Sequence, residues 1–155
     1  MIITIPAGVD DGKRLTIPRQ GNAGRNGGAS GDLFVMLRVR QHEFFERNGK
    51  DLYCAVPITL PQAALGAEIY ITTLDDRKFK LKIPAGIQSG KLLRIKDEGV
   101  VSPNSSSKGD LYIKVIVQSP NKLSSKEKAL YEQLIEIEPS NDTPKLIRLS
   151  DLAGN

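Results

Sequence analysis

One cysteine, one histidine and no tryptophan occur in 155 residues, and each scarcity closes off a kind of chemistry. Cys54 alone rules out an internal disulfide and a multi-cysteine zinc site, and His42 cannot assemble a metal cluster by itself. A solitary thiol fits a reducing cytosol. Aromatic residues make up 5% of the chain, so there are few platforms on which bases could stack. No apolar run approaches the ~20 residues that span a bilayer. The sequence also runs straight into Ile2-Ile3-Thr4-Ile5-Pro6 without a charged region ahead of an apolar stretch. A soluble, non-secreted, cytoplasmic protein with no membrane partner is expected.

What is present has an ordinary globular balance, 39% apolar and 26% charged, which argues against disorder and fibrous repeats. The net charge of +4 permits an acidic partner. However, the basic residues are interleaved with acids or, as in Lys78-Phe79-Lys80-Leu81-Lys82, occupy every second position of an alternating strand. A solvated strand face is the better reading of that pattern. A basic β module that binds nucleic acid is the alternative.

The most informative feature is self-similarity. Ile5-Pro6-Ala7-Gly8-Val9-Asp10-Asp11-Gly12-Lys13 returns as Ile83-Pro84-Ala85-Gly86-Ile87-Gln88-Ser89-Gly90-Lys91, an offset of 78 residues. The same offset carries Ile17 onto Ile95, Gly21 onto Gly99, and Gly31-Asp32-Leu33-Phe34-Val35 onto Gly109-Asp110-Leu111-Tyr112-Ile113 without a gap. This is the mark of two copies of one β unit, the first cut short. Each copy reads strand, turn, strand, loop, strand, with Gly12 and Gly90 supplying a turn conformation closed to residues bearing a Cβ. Residues 21–31 are glycine-rich enough to predict a mobile loop.

Between the copies, Asn48-Gly49 predicts a hairpin. Leu52, Cys54, Val56, Ile58 and Leu60 then alternate with Tyr53, Ala55, Pro57 and Thr59, the pattern of a half-buried strand. Pro57 places that strand at a sheet edge or bulge. One helical turn is expected over 61–66, a second hairpin over 68–74 and 77–83, and closing strands over 92–96 and 111–118. After Pro120, Ser124-Ser125-Lys126-Glu127 matches a capping box, and Leu130, Leu134 and Ile137 fall on one helical stripe. Pro139 ends the helix, and residues 139–155 form a tail with an apolar patch at Leu146-Ile147-Arg148-Leu149. The helix either packs on its own sheet or pairs with another subunit.

Catalytic chemistry is not legible. Gly8 to Lys13 and Gly86 to Lys91 are one residue short of a phosphate loop, lack the Ser/Thr after the lysine, and open into a strand instead of a helix. Cys54 has no histidine nearby in sequence and reads as a buried thiol. His42, between Gln41 and Glu43, reads as structural or solvated. Asp10-Asp11 and Asp75-Asp76 fall in turns, where aspartate serves the backbone. No enzyme is expected.

Several ordered motifs carry a family resemblance. They are Ile5-Pro6-Ala7-Gly8, Gly31-Asp32-Leu33, the run from His42 through Glu46-Arg47-Asn48-Gly49-Lys50-Asp51-Leu52-Tyr53, Ala64-Leu65-Gly66, Ile83-Pro84-Ala85-Gly86 and Gly109-Asp110-Leu111. Residues 1–138 resemble the carboxy-terminal part of the bacterial DnaJ co-chaperones. The resemblance implies a mainly β fold: tandem β-sandwich domains, the first truncated, with a C-terminal α-helix. It places the later part of domain I at 1–41, domain II at 42–121, a dimerisation helix at 122–138 and the tail at 139–155. The His-Pro-Asp tripeptide of a J domain and the Cys-x-x-Cys-x-Gly-x-Gly zinc repeats are missing, so no cofactor is expected here, and zinc only in the cysteine-rich region of a full protein.

By the same resemblance, unfolded clients add a strand to domain I and place apolar side chains in a shallow groove. By position the groove includes Met1 and Ile3 on one strand and Val35 and Leu37 on its neighbour, although core packing is the stronger reading of Leu37. Leu130, Leu134 and Ile137 are the implied homodimer contacts. Clients would pass to a DnaK-type ATPase chaperone, in a heat-shock or stress-response setting.

Overall fold

The computed structural model describes residues 1–152, with Asn26 described by its backbone only. The final three residues of the expected tail lie outside the described residues. Among the described residues strands dominate, with one α-helix between β4 and β5 and another after the last strand. β1 (Arg14–Ile17) and β2 (Leu33–Met36) form a two-stranded antiparallel sheet in which Leu15 faces Val35 and Ile17 faces Leu33. β3 (Glu46–Asn48), β4 (Asp51–Thr59), β7 (Leu92–Ile95) and β8 (Leu111–Gln118) make a four-stranded sheet in the order β3-β4-β8-β7. The Leu52 N–H donates to the Asp110 carbonyl at 2.9 Å, where β4 and β8 both begin, so the two strands run parallel. β5 (Ala67–Thr72) and β6 (Lys78–Ile83) pair as a second two-stranded sheet.

Residues cluster into two compact units. The first comprises 1–55, 72–77 and 93–113; the second comprises 56–71, 78–92 and 114 onward. Leu37, Phe45, Leu52, Ile95, Val100, Leu111 and Ile113 are buried in the first, and Ile58, Ala63, Leu81, Ile83 and Val115 in the second. This division groups residues by compactness and does not follow the sequence boundary expected at 41/42.

Local chemistry accounts for the elements. The Thr59 hydroxyl accepts from the Gln62 N–H while the Gln62 side chain accepts from the Thr59 N–H, a capping box that starts α1 (Leu60–Leu65) with Pro61 in its first turn. Ser124 and Glu127 make the same reciprocal pair ahead of α2 (Ser125–Ile137). In β4, Leu52 and Ile58 are buried while Ala55, Pro57 and Thr59 are exposed, as alternation requires. β3 pairs only with Asp51, Leu52 and Tyr53, so Pro57 stands on a stretch of β4 beyond that ladder, where its missing N–H costs nothing on that side. Asn48 pairs with Asp51, which leaves Gly49 and Lys50 as the hairpin loop. Gly49, at φ +64°, takes its first position, as in a type II′ turn.

The duplication is repeated bond for bond. Gly12 donates to Leu37 O (2.8 Å) as Gly90 does to Val115 O (2.7 Å), and Leu37 donates to Lys13 O (2.7 Å) as Val115 does to Lys91 O (2.8 Å). Arg19 and Asp97, at φ +61° and +62°, donate their N–H groups to the carboxylates of Asp32 and Asp110. Even the Asp11 carboxylate on the Val39 N–H is matched by the Ser89 hydroxyl on the Val117 N–H. The loop at 21–31, expected to be mobile from its glycines, is closed by Gly21 N–H to Gly31 O and Gly31 N–H to Asn22 O.

Candidate functional site

The β1–β2 sheet has two faces of different character. Leu15, Ile17, Leu33 and Val35 lie half-buried on one; Arg14, Thr16, Phe34 and Met36 lie exposed on the other. Phe34 is 55% and Met36 60% exposed, and the Arg14 guanidinium sits 4.7 Å from the Phe34 ring centroid. With only two strands, β1 and β2 each carry one edge unpaired among the described residues, and such an edge presents N–H and C=O groups that another extended chain can match. In the second copy the equivalent of β2 is the start of β8, which lies between β7 and β4, and there Tyr112 stacks on Tyr53 of β4 at 5.1 Å. Phe34 occupies the position of Tyr112 and has no such ring over it.

Of the four groove residues expected, Val35 is half-buried in β2 and Leu37, just past its end, is 9% exposed and held to Lys13 and Gly12 by both backbone groups. Leu37 therefore packs in the core. Met1 and Ile3 are 75% and 37% exposed and belong to no strand, so the strand pairing that would align them with Val35 is not formed. Their equivalents Phe79 and Leu81 do lie in a strand, β6, because β5 pairs with it; residues 1–155 hold no counterpart of β5 for the first copy. Sequence reasoning overlooked Phe34 and Met36, although alternation from Val35 would have placed both on the opposite, outward face.

α2 buries none of its residues. Leu130 (51%), Leu134 (48%) and Ile137 (78%) expose the stripe predicted for self-association, joined by Ile135 and, just ahead of the helix, Leu123. The Ser124 N–H holds the Glu127 carboxyl below its ordinary range, assisted by the Ser124 hydroxyl, so the cap is charged at neutral pH. In the tail Leu146, Ile147 and Leu149 are exposed, and residues 149–152 form a single 3₁₀ turn.

The remaining polar groups serve the scaffold. His42 accepts the N–H groups of Phe44 and Phe45 at Nδ1 (3.1 and 3.2 Å), and its ring packs against both phenyl rings. Asp75 accepts from the Thr73 hydroxyl (2.6 Å) and Arg77 Nε (2.8 Å), and these bonds, with Thr73 the stronger influence, lower its pKa to about 2. Arg77 in turn donates from Nη2 to both carboxylate oxygens of Glu98 at 2.8 Å. The Asp97 N–H chiefly, and then Arg94, keep the Asp110 carboxyl below its usual range. Burial pushes the Cys54 thiol up. Lys78, Lys80 and Lys82 point to solvent, Lys80 pairing with Glu68 at 3.0 Å; this is the solvated face anticipated, and it disfavours the nucleic-acid alternative. No helix among the described residues is long and apolar enough to cross a membrane.

The described residues thus form a duplicated β unit with an exposed apolar pair on β2, followed by a helix whose apolar stripe is exposed. Comparison with known proteins makes this specific: the profile of the DnaJ C terminal domain matches residues 1–120, and the chain belongs to that family. It is similar to the chaperone protein DnaJ of Treponema denticola, 59% identical over 98% of this chain and 40% of that protein. The DnaJ proteins of Brevibacillus choshinensis (50% identical; 87% of this chain, 36% of that protein) and Rhizobium meliloti (42%; 92% and 38%) are also similar. The chain thus spans about two fifths of the length of these relatives.

Proposed function

We propose that this chain is the client-binding and self-associating part of a DnaJ-type co-chaperone of the cytoplasm, with no catalytic activity of its own. Residues 1–41 belong to the later part of carboxy-terminal domain I, which holds the client groove, 42–121 form domain II, and 122–138 form the dimerisation helix. The single observation that carries the reading is the exposed apolar pair Phe34 and Met36 on β2, within the residues that match the DnaJ C terminal domain. Main-chain hydrogen bonds along a strand hold an extended segment whatever its sequence, and apolar burial beside it selects unfolded chains over folded ones. Val35 supports the groove from below, Leu37 is part of its foundation, and Met1 and Ile3 contribute apolar surface when a client orders them. Two such surfaces joined through α2 would raise avidity for long clients. Delivery to a DnaK-type ATPase, and any zinc, belong to regions of a full protein outside these residues.

The test is fluorescence anisotropy of a labelled extended apolar peptide titrated with the chain at low and high salt, beside a charged scrambled peptide. Selective binding that persists in high salt, and that Phe34→Ser or Met36→Ser weakens, is expected. Binding that collapses steeply with salt would favour phosphate-type contacts instead. No binding at all would remove client capture from these residues and leave self-association.

A further inference from the structure

The two copies share internal hydrogen bonds and differ at the turn that opens each. A Cβ at Gly86 would meet nothing within 4 Å, whereas one at Gly8 would run into the Val101 carbonyl, with the carbonyl carbon 2.9 Å away. The first turn is packed on the Val101 carbonyl, whereas the second leaves that side open and is held by its Gly86 N–H on Ala63 O (2.8 Å). One side chain also holds the first turn. Arg47, on β3, donates from Nη1 to Val9 O (2.7 Å), from Nη2 to Gly8 O (2.6 Å) and to the Asp10 carboxylate (2.9 Å), and from Nε to Gly49 O (2.7 Å). Three of these four acceptors belong to the first copy's turn and the fourth to the hairpin that carries Arg47. Asp10 becomes Gln88 in the second copy, so the ion pair has no equivalent there. The Arg47 side chain is 26% exposed against 71% for Asp10, so the guanidinium is the less accessible partner.

We infer that Arg47 is a positioning residue, a clamp that fixes the Gly8 turn of the first copy to the hairpin that opens the second and so holds the β1–β2 sheet in place. The guanidinium fork suits the task because several oxygens converge on it with fixed geometry, and an ammonium cannot match them together. The turn ties directly into that sheet: Gly12 donates to Leu37 O, and Leu37 to Lys13 O, one residue before β1. Loss of the clamp therefore loosens the edge of β2 without touching it. The clamp itself stands on geometry; its consequence for client capture rests on the proposed function.

The test is native-state amide hydrogen exchange on the 155-residue chain, comparing Gly12 with Gly90, whose N–H groups make equivalent bonds. Arg47→Ala is expected to speed exchange at Gly12 and Leu37 by about tenfold or more, since hydrogen bonds to charged groups are each worth about one such factor, while Gly90 and Val115 stay unchanged. Arg47→Lys should fall between, and Asp10→Asn should give a small increase confined to the first copy. Equal exchange at Gly12 in all variants overturns the clamp, as does acceleration shared equally by Gly90 and Val115 in Asp10→Asn, which leaves the guanidinium in place and tests the same contact if Arg47→Ala does not fold. Peptide anisotropy on the same variants separates the two ideas. Faster exchange with unchanged peptide affinity keeps the clamp and refutes its role in client capture.

Discussion

Replacing Gly8 and Gly86 by alanine, one at a time, sets two chemically identical changes against each other at equivalent positions of the repeat. Both glycines hold a positive φ, +85° and +80°, where an L residue costs roughly 1–2 kcal/mol. Part of that, about 0.4–1 kcal/mol, is returned because alanine restricts the unfolded chain. With open space around the new methyl, Gly86→Ala should cost about 1 kcal/mol. At Gly8 the methyl meets backbone, the carbonyl of Val101, and no flexible side chain is there to move aside. Overpacking of this sort adds about 1–3 kcal/mol, for a total of ~2–4 kcal/mol. Urea titration followed by far-UV circular dichroism resolves the difference: with a slope of roughly 2 kcal/mol per molar, the midpoint should fall by about 0.5 M for Gly86→Ala and by about 1–2 M for Gly8→Ala. Equal shifts would mean that the first turn is not docked on Val101, and the reasoning behind the Arg47 clamp would go with it.

Three further outcomes are expected. Leu134→Asp places a charge in the exposed stripe of α2 and should lower the mass seen by sedimentation toward that of a monomer; an unchanged mass would mean that the stripe does not self-associate. Asp75, with its pKa lowered from 3.8 to about 2, contributes stability that is complete above the ordinary carboxylate range and is lost as pH falls through about 2. Asp75→Asn should therefore flatten the stability profile between about pH 4 and pH 2, and a profile identical to the parent's would contradict the Thr73–Asp75–Arg77 network. Cys54, whose thiol burial holds in the protonated form, should react with an aromatic disulfide reagent well below the rate of a free thiol at neutral pH and reach that rate only in denaturant; rapid labelling of the folded chain would contradict its burial.

The sequence made the repeated elements legible because their signals are local or doubled. The 78-residue offset pairs the turns at Gly8–Gly12 and Gly86–Gly90, and Ser124-to-Glu127 locates the start of α2 to the residue. Thr59-Leu60-Pro61-Gln62 carried the same capping signature for α1 and shows why the short helix begins at Leu60. What local pattern could not decide was pairing. Residues 1–5 alternate as well as 79–83 do, yet only the latter form a strand, since an extended segment is fixed by its neighbour and β5 supplies one only to β6. Thr73 and Leu74 read as strand, but the Thr73 hydroxyl bonds Asp75 and Arg77 and draws both residues into the turn. Arg47 lay in the quoted motif without a role, because its acceptors are carbonyls about forty positions away and no spacing rule encodes them.

A duplicated fold lets each copy serve as the control for the other. Bonds that recur at the same offset, such as Gly12 to Leu37 and Gly90 to Val115, belong to the unit itself and say nothing about function. Positions where the copies diverge record what each copy faces. Tyr112 and Lys114 stand where Phe34 and Met36 stand in the first copy: the tyrosine ring is covered by Tyr53 and the lysine is at home in water. The first copy instead turns a phenyl ring and a thioether outward, on a strand with one edge unpaired. Exposed apolar groups of that size tend to be retained where something covers them. At the 78-residue offset the counterpart of β4 falls outside residues 1–155, so the unpaired edge of β2 reflects the span of the chain. What distinguishes the copies is the outward pair Phe34 and Met36, the surface on which the proposed client site rests.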